Sequence, residues 1–451
     1  MQASKAAGKR NMDLAAAVGE AEQRYAAQNP KSLALAKSAA AHMPGGNTRT
    51  TVHYSPFPLY FSSGANSRVT DSDGHSYADF VNEFTAGVFG HSNAVIADSI
   101  RETLAGGINL GGCTAHEIAL SEEVRKRFPA MELMRFCNSG TEANLLALAT
   151  ARAFTGKPAV LVFDGAYHGS IIYFVSGASP LNMTFDWIFT PFNDLERAAA
   201  AIAENAHKLA AVIVEPMQGG AGAIPAAPGF IAGLRAACDE NKVLLVLDEV
   251  MTSRVGYGGL QGKLGVSPDL TTLGKYVGGG LTIGAFGGRA DIMEKFDPSR
   301  PGAYPHGGTF NNNVLAMAAG HAGLTKVLSR QRVEAMNDLG DVLIGKLSAV
   351  AGKHRLPVQI TGQGSIFGIH FSAGPVHSVA DQLRAEKGRE ASVADLKKLF
   401  HLEMLANSFY VARRISGNLS IETTAAEVDG LCEAFDTFLS VHGGLIRDVM
   451  A

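Results

Sequence analysis

The octapeptide VLLVLDEV, residues 243–250, decides the fold. Its five leading apolar residues leave no polar face for water, so the segment reads as a strand covered on both sides. It stops at two carboxylates, Asp248 and Glu249. Outward from it, LMRFCN (133–138), AVLVFDG (159–165), AAVIVEP (210–216) and TIGAFGG (282–288) repeat the pattern, with helix-length stretches between them. This alternation from about residue 115 to 290 predicts an α/β unit with a parallel or mostly parallel sheet under helices. In such sheets the chemistry gathers at the carboxyl ends of strands.

Beyond about residue 330 the chain changes to charged amphipathic helix, RQRVEAMNDLGDVLIGKLSAV (330–350), and then to short strands in PVQITGQGSIFGIHF (357–371). A second, smaller domain is expected there. Upstream, SRVTDSDGHSYADFV (67–81) pairs two alternating segments through Asp71-Ser72-Asp73-Gly74, which is hairpin chemistry. A calcium loop would need another oxygen ligand before the glycine and a terminal glutamate.

At 451 residues the chain is long enough for one large core and a smaller one. The near balance of 39 basic and 42 acidic residues gives no electrostatic footprint for nucleic acid or an anionic membrane surface. The N-terminal stretch reads as a polar lead and an amphipathic helix, without the apolar run of a secretory signal or membrane span. Cys113, Cys137, Cys238 and Cys432 form no CxxC pair, so a cytoplasmic setting without zinc or a disulfide framework is expected.

Four constellations sit on the predicted sheet. In RFCNSGTEAN (135–144) a strand turns through Asn138-Ser139-Gly140-Thr141 into a helix beginning near Glu142. Unpaired N–H groups and two hydroxyls there suit a phosphate, although the same turn serves as an ordinary N-cap. No Walker A or GxGxxG spacing occurs, which argues against nucleotide sites. Asp248 at a buried strand end needs a positive partner. Tyr167 in FDGAYHGS (163–170) can wall a flat ligand or simply pack; His168 and His306 are too scattered for a metal set.

The fourth is Lys275 in DLTTLGKYVGGG (269–280). Held among apolar residues and glycines, its neutral amine is a nucleophile toward aldehydes; at a surface it would merely snorkel. An anion cup, an aromatic wall, a buried carboxylate and a nucleophilic lysine together match the needs of pyridoxal 5'-phosphate.

In order along residues 35–440, NSGTEAN, GAYHG, VEPMQG, LLVLDEVMTSR, DLTTLGKYVGGG and GTFNNN resemble the class III aminotransferases of fold type I. Within that family the chain is most similar to the glutamate-1-semialdehyde aminomutase-like group and its β-amino-acid (β-phenylalanine) transaminases. The resemblance implies a large domain with a mostly parallel seven-stranded sheet and a smaller α+β domain built from both chain ends. The expected division is 1–80, 81–330 and 331–451. It further implies that Lys275 forms the Schiff base, Asp248 pairs with the pyridinium nitrogen, and Ser139, Gly140 and Thr141 hold the phosphate. Tyr167 and Val250 would cover the two ring faces, with Glu215 at the substrate end and Gln218 at the ring hydroxyl. Thr309 would reach the phosphate of a neighbouring subunit, which makes a homodimer the expected unit.

For the substrate, Arg49 in HMPGGNTRTTVHY (42–54) matches an arginine that recognises a β-amino-acid carboxylate, and Arg414 one that takes an α-carboxylate. The family pattern around the latter is Pro-Arg-Gly, whereas this chain has Arg413-Arg414-Ile415. The implied reaction moves an amino group from a β-amino acid to a 2-oxo acid such as 2-oxoglutarate or pyruvate. The alternatives are glutamate-1-semialdehyde 2,1-aminomutase, whose PGGVNSPVR-like pattern differs from PGGNTRT, and a racemase or decarboxylase of the same fold.

Overall fold

The computed structural model describes residues 13–451. The polar lead lies outside them. Helix α1 (Leu14–Gln28) starts where the Asp13 carboxylate accepts the Ala16 N–H at 2.8 Å, and it buries Ala17, Val18, Ala21 and Tyr25 along one face. Next come β1 (Phe61–Ala65), β2 (Arg68–Asp71) and β3 (Ser76–Asp79), an antiparallel set joined at its β3 edge by the parallel two-residue strand Phe409–Tyr410. The DSDG segment is the β2–β3 turn. Both of its carboxylates serve the chain itself: Asp71 accepts from His75 N and Tyr77 OH, and Asp73 accepts Lys31 N at 2.8 Å and Ser32 N at 3.0 Å.

The large sheet comprises β4 (Leu133–Cys137), β5 (Ala159–Phe163), β6 (Asp186–Thr190), β7 (Leu209–Val214), β8 (Leu244–Asp248), β9 (Leu270–Gly274) and β10 (Gly284–Gly288). Their order is β4-β10-β9-β8-β7-β5-β6, and only β10 runs antiparallel to its neighbours. Strands β5, β7, β8 and β9 are buried along their whole length. Each large aliphatic side chain there contributes about 1.5–3 kcal/mol, which is why unbroken apolar runs mark these strands.

Two of the seven strands do not show the expected run. The β9 sequence LTTLG hides behind Thr271 and Thr272, which are buried because their hydroxyls donate to Gln261 Oε1 at 3.3 Å and Asn144 Oδ1 at 2.6 Å. Strand β6 is the sheet edge and stays partly exposed, so DWIFT lacks a continuous apolar signature. Helix α2 (Gly140–Thr155) begins two residues earlier than expected, because Ser139 is its N-cap and its Oγ accepts the Glu142 N–H at 3.1 Å.

The chain ends with α3 (Arg330–His354), the hairpin β11 (Val358–Gln363) and β12 (Ile366–Phe371), β13 (Ser416–Asn418) beside β12, and α4 (Ala425–Met450). One hydrophobic core combines residues between Ala17 and Phe80 with residues between Met336 and Ile446, so both chain ends build the smaller unit. Among the described residues, no helix is long and apolar enough to cross a membrane.

Candidate active site

Five parallel strands of the large sheet release their carboxyl ends toward one cleft, and each delivers a polar group that the sequence singles out. After β4 comes the Ser139-Gly140-Thr141 turn, after β5 Tyr167 and His168, after β7 Glu215 and Gln218, at the end of β8 Asp248, and after β9 Lys275. This is the location that parallel sheet topology favours for ligands.

Asp248 is 4% exposed and held by three partners. Its Oδ2 accepts Asn144 Nδ2 at 2.7 Å and faces His168 Nδ1 at 2.8 Å, while Oδ1 accepts Val250 N at 3.0 Å. Asn144 also donates to the His168 carbonyl at 3.0 Å and accepts from Thr272. Asn144 and His168 thus fix the carboxylate, and neither role is expected from the sequence. Asn144 lies one helical turn past Gly140, so the motif that marks the anion cup also carried this second signal. The adjacent Glu249 turns away and accepts Leu260 N at 3.2 Å and Gln261 N at 2.6 Å, a structural anchor for the helix Gly259–Leu264.

Lys275 sits immediately beyond β9 with φ of 56°, a left-handed conformation that costs a non-glycine residue energy. Its Nζ donates to Thr85 Oγ1 at 2.7 Å. Burial lowers its pKa from 10.5 to about 8; Asp248 and Glu215 oppose the shift, and Arg414 and Arg254 reinforce it. Of the glycines that follow, Gly279 is required twice over: its φ is 66°, and a Cβ would lie 2.4 Å from the Ala319 backbone.

Glu215 is 6% exposed and accepts Tyr167 N at 2.9 Å and Gly219 N at 3.1 Å. Burial pushes its pKa up to about 7, against the lowering influence of His168. Gln218 donates to the Asp164 carbonyl at 2.9 Å, which leaves its buried Oε1 without a hydrogen-bond partner. Tyr167 is 41% exposed to the cleft and meets Tyr173 edge-on at 5.8 Å.

Across the cleft, Phe84 lies beneath two guanidiniums, Arg49 at 5.7 Å and Arg414 at 5.6 Å from its ring centroid. Arg414 donates to Ser416 Oγ at 3.0 Å; the protein packed around it lowers its pKa, and Tyr167 and Glu215 oppose that. Arg413 instead reaches the His53 carbonyl at 3.4 Å. Arg414 lines the inner cavity with Thr85, Gly219 and Met251, and Arg413 and Arg414 line an outer cavity of about 320 Å³ with His53 and Lys397. Thr309 is exposed on a loop tied back to β4 by Asn138 Nδ2 donating to Asn311 Oδ1 at 2.9 Å.

These groups fit pyridoxal phosphate. The N–H groups of Gly140 and Thr141 have no intrahelical acceptors by position, and the Ser139 hydroxyl, which accepts the cap bond from Glu142 N, keeps its own O–H to donate. Gly140 is glycine because Val250 packs on it: a Cβ would come within 2.6 Å of Val250 Cγ1. Asp248 accepts three groups and a carboxylate offers about four lone-pair sites, so one remains for a protonated ring nitrogen. Among the described residues, no cluster of three or more His, Cys, Asp or Glu is arranged to hold a metal.

Known proteins resemble the chain over most of its length. The sequence profile of "Aminotransferase class-III" matches residues 50–393. The chain is 44% identical to a β-phenylalanine transaminase of Variovorax paradoxus over 95% of this chain and 97% of the relative. It is 36% identical to a glutamate-1-semialdehyde 2,1-aminomutase of Macrococcus caseolyticus, over 91% and 99% of the two chains. The crystal structure of a β-phenylalanine aminotransferase from Variovorax paradoxus superposes with a TM-score of 0.92 at 42% identity, covering 96% of this chain and 99% of that one. The chain belongs to the class III aminotransferases, pyridoxal-phosphate-dependent transaminases of fold type I.

Proposed function

We propose that this transaminase takes the amino group of a β-amino acid, aromatic ones of the β-phenylalanine kind first, and passes it to a 2-oxo acid such as 2-oxoglutarate or pyruvate. The observation that carries the reading is the pair Arg49 and Arg414 sharing the Phe84 ring at the cleft. Each guanidinium is a planar fork suited to a carboxylate, so two acids of different length have separate anchors. The likeness to the Variovorax enzyme supports the same substrate class.

Bound pyridoxal phosphate supplies an electron sink and carries the amino group between the two acids. Lys275 would hold its aldehyde until the substrate amine takes that place, and the freed lysine amine would then carry the proton from the amine-bearing carbon of the substrate. Asp248, held by Asn144 and His168, keeps a proton on the ring nitrogen. Ser139, Gly140 and Thr141 take the phosphate, Tyr167 and Val250 cover the ring faces, and Gln218 Oε1 meets the ring hydroxyl. Glu215 borders the substrate amine. Thr309 serves the phosphate of a second copy, which makes the active form a homodimer of the cytoplasm.

Two measurements test this. In a half-reaction, β-phenylalanine added to the holoenzyme converts the cofactor from its aldehyde to its amine form. If a panel of β-amino acids leaves the spectrum unchanged while glutamate 1-semialdehyde is isomerised, the aminomutase reading replaces this one.

The second measurement concerns Lys275 alone. Its amine must be neutral to attack an aldehyde, and burial has lowered its pKa to about 8. Cofactor-free protein therefore takes up pyridoxal phosphate with a rate that rises roughly tenfold per pH unit below pH 8 and levels off above it. A rise continuing to pH 10 would show an ordinary, solvated lysine doing the capture.

A further inference from the structure

Asn82, Glu83, Phe84 and Thr85 have φ of 41°, 51°, 52° and 78°. Four consecutive left-handed residues, none of them glycine, are unfavourable and persist only where the surroundings over-determine them. The pins are deep. Asn82 is fully buried and its Nδ2 donates to the Asp79 carbonyl at 2.8 Å and the Asn418 carbonyl at 2.7 Å. At the other end Arg254, 2% exposed, donates through Nη1 to the Thr85 carbonyl at 3.1 Å.

This turn delivers three successive side chains into the cleft. Thr85 takes the Lys275 hydrogen bond, Phe84 lies beneath both guanidiniums, and Glu83 forms an ion pair with Arg49. Glu83 is thus not a freely placed surface carboxylate; its backbone is clamped where its carboxylate accepts from Arg49 Nη1. The two side chains remain 48% and 58% exposed, so water and an incoming anion reach the pair. A solvated pair of this kind is weak and exchangeable.

We propose that Glu83 is a tethered carboxylate that occupies Arg49 between substrates and that the carboxylate of the amino donor displaces. The inference rests on Arg49 binding that carboxylate. Glu83 is then a specificity residue: it keeps an empty cationic fork from capturing arbitrary anions, and it sets a threshold that only a carboxylate presented by a well-seated substrate passes.

The test uses the holoenzyme and two unreactive probes without an amine, 3-phenylpropanoate and its neutral amide, with dissociation constants from calorimetry. The parent, Glu83→Gln, Arg49→Met and the double variant are compared. Glu83→Gln tightens the carboxylate about two- to fivefold, the size of one exposed ion pair, and leaves the amide unmoved. Arg49→Met weakens the carboxylate about tenfold or more, and in that background Glu83→Gln has no further effect.

If Arg49→Met weakens the probe but Glu83→Gln leaves its affinity unchanged or lowers it, Arg49 keeps its role and the displaced-carboxylate inference is overturned. If Arg49→Met leaves the carboxylate affinity unchanged, the reading of Arg49 itself fails. A tightening by Glu83→Gln that is equal for acid and amide also overturns the inference, since it would reflect a general opening of the cleft.

Discussion

Lys275→Ala lowers turnover by about 10²–10⁴-fold while leaving the protein folded. The chemical step needs a base at the amine-bearing carbon, and among the groups that bear on the cleft only Lys275 joins an amine to a pKa of about 8. Neutral Asn144 and Thr85 cannot take a proton at that pH, and Glu215 is already bound by two backbone N–H groups. The folded state loses one hydrogen bond to Thr85, about 1 kcal/mol, and is relieved of a desolvated amine, so the melting temperature moves by no more than a few degrees. Turnover and thermal melting measured together separate the two effects. Residual activity above about one part in a hundred, in a protein that melts like the parent, would give the proton transfer to another residue.

The turn at Lys275 also shows how far the sequence alone reaches. The lysine, its glycines and the carboxylate of VLLVLDEV are local patterns, and five of the seven large-sheet strands announce themselves as apolar runs. Strand β9 does not, because its threonines are buried with satisfied hydroxyls, and hydropathy cannot distinguish them from exposed ones. The supporting residues are harder still to read. Thr85 lies 190 positions from Lys275, and Arg254 reaches Ser365, Asn418 and Leu419 across more than 100 positions. No periodicity encodes such pairs; they exist only once the smaller unit closes over the sheet.

Arg254 illustrates what that closure costs. It is almost fully buried and its hydrogen-bond acceptors are neutral: three backbone or amide oxygens, the Ser365 hydroxyl and the Met336 sulfur. Burial accordingly pulls its pKa down to about 9. A guanidinium held without a carboxylate is expensive, and its hydrogen bonds tie the left-handed turn, β13 and the loop after β8 into one unit. The same positive charge reinforces the lowered pKa of Lys275, so the residue that locks the scaffold also favours the neutral amine.

Asp248→Asn lowers kcat by about 10²–10³-fold, the scale on which a charge aimed at the reacting system acts in a water-poor site. The substitution keeps the shape and removes the negative charge, so the ring nitrogen would lose the partner we propose keeps it protonated. It also changes what the neighbours meet. Asn144 Nδ2 and His168 Nδ1 both point at Oδ2, and an amide can present only one oxygen, so its NH₂ either confronts those donors or displaces the Val250 N–H from Oδ1. Asn144→Ala leaves the charge in place and removes one tether, so its loss of kcat is smaller, about tenfold, and substrate KM moves less than kcat in both variants. Steady-state rates at saturating pyridoxal phosphate, with cofactor retention measured on the same samples, separate weakened binding from weakened chemistry. If Asp248→Asn costs less than tenfold in kcat with the cofactor site full, the ring nitrogen has another partner, and the buried carboxylate at the end of β8 is a structural anchor like its neighbour Glu249.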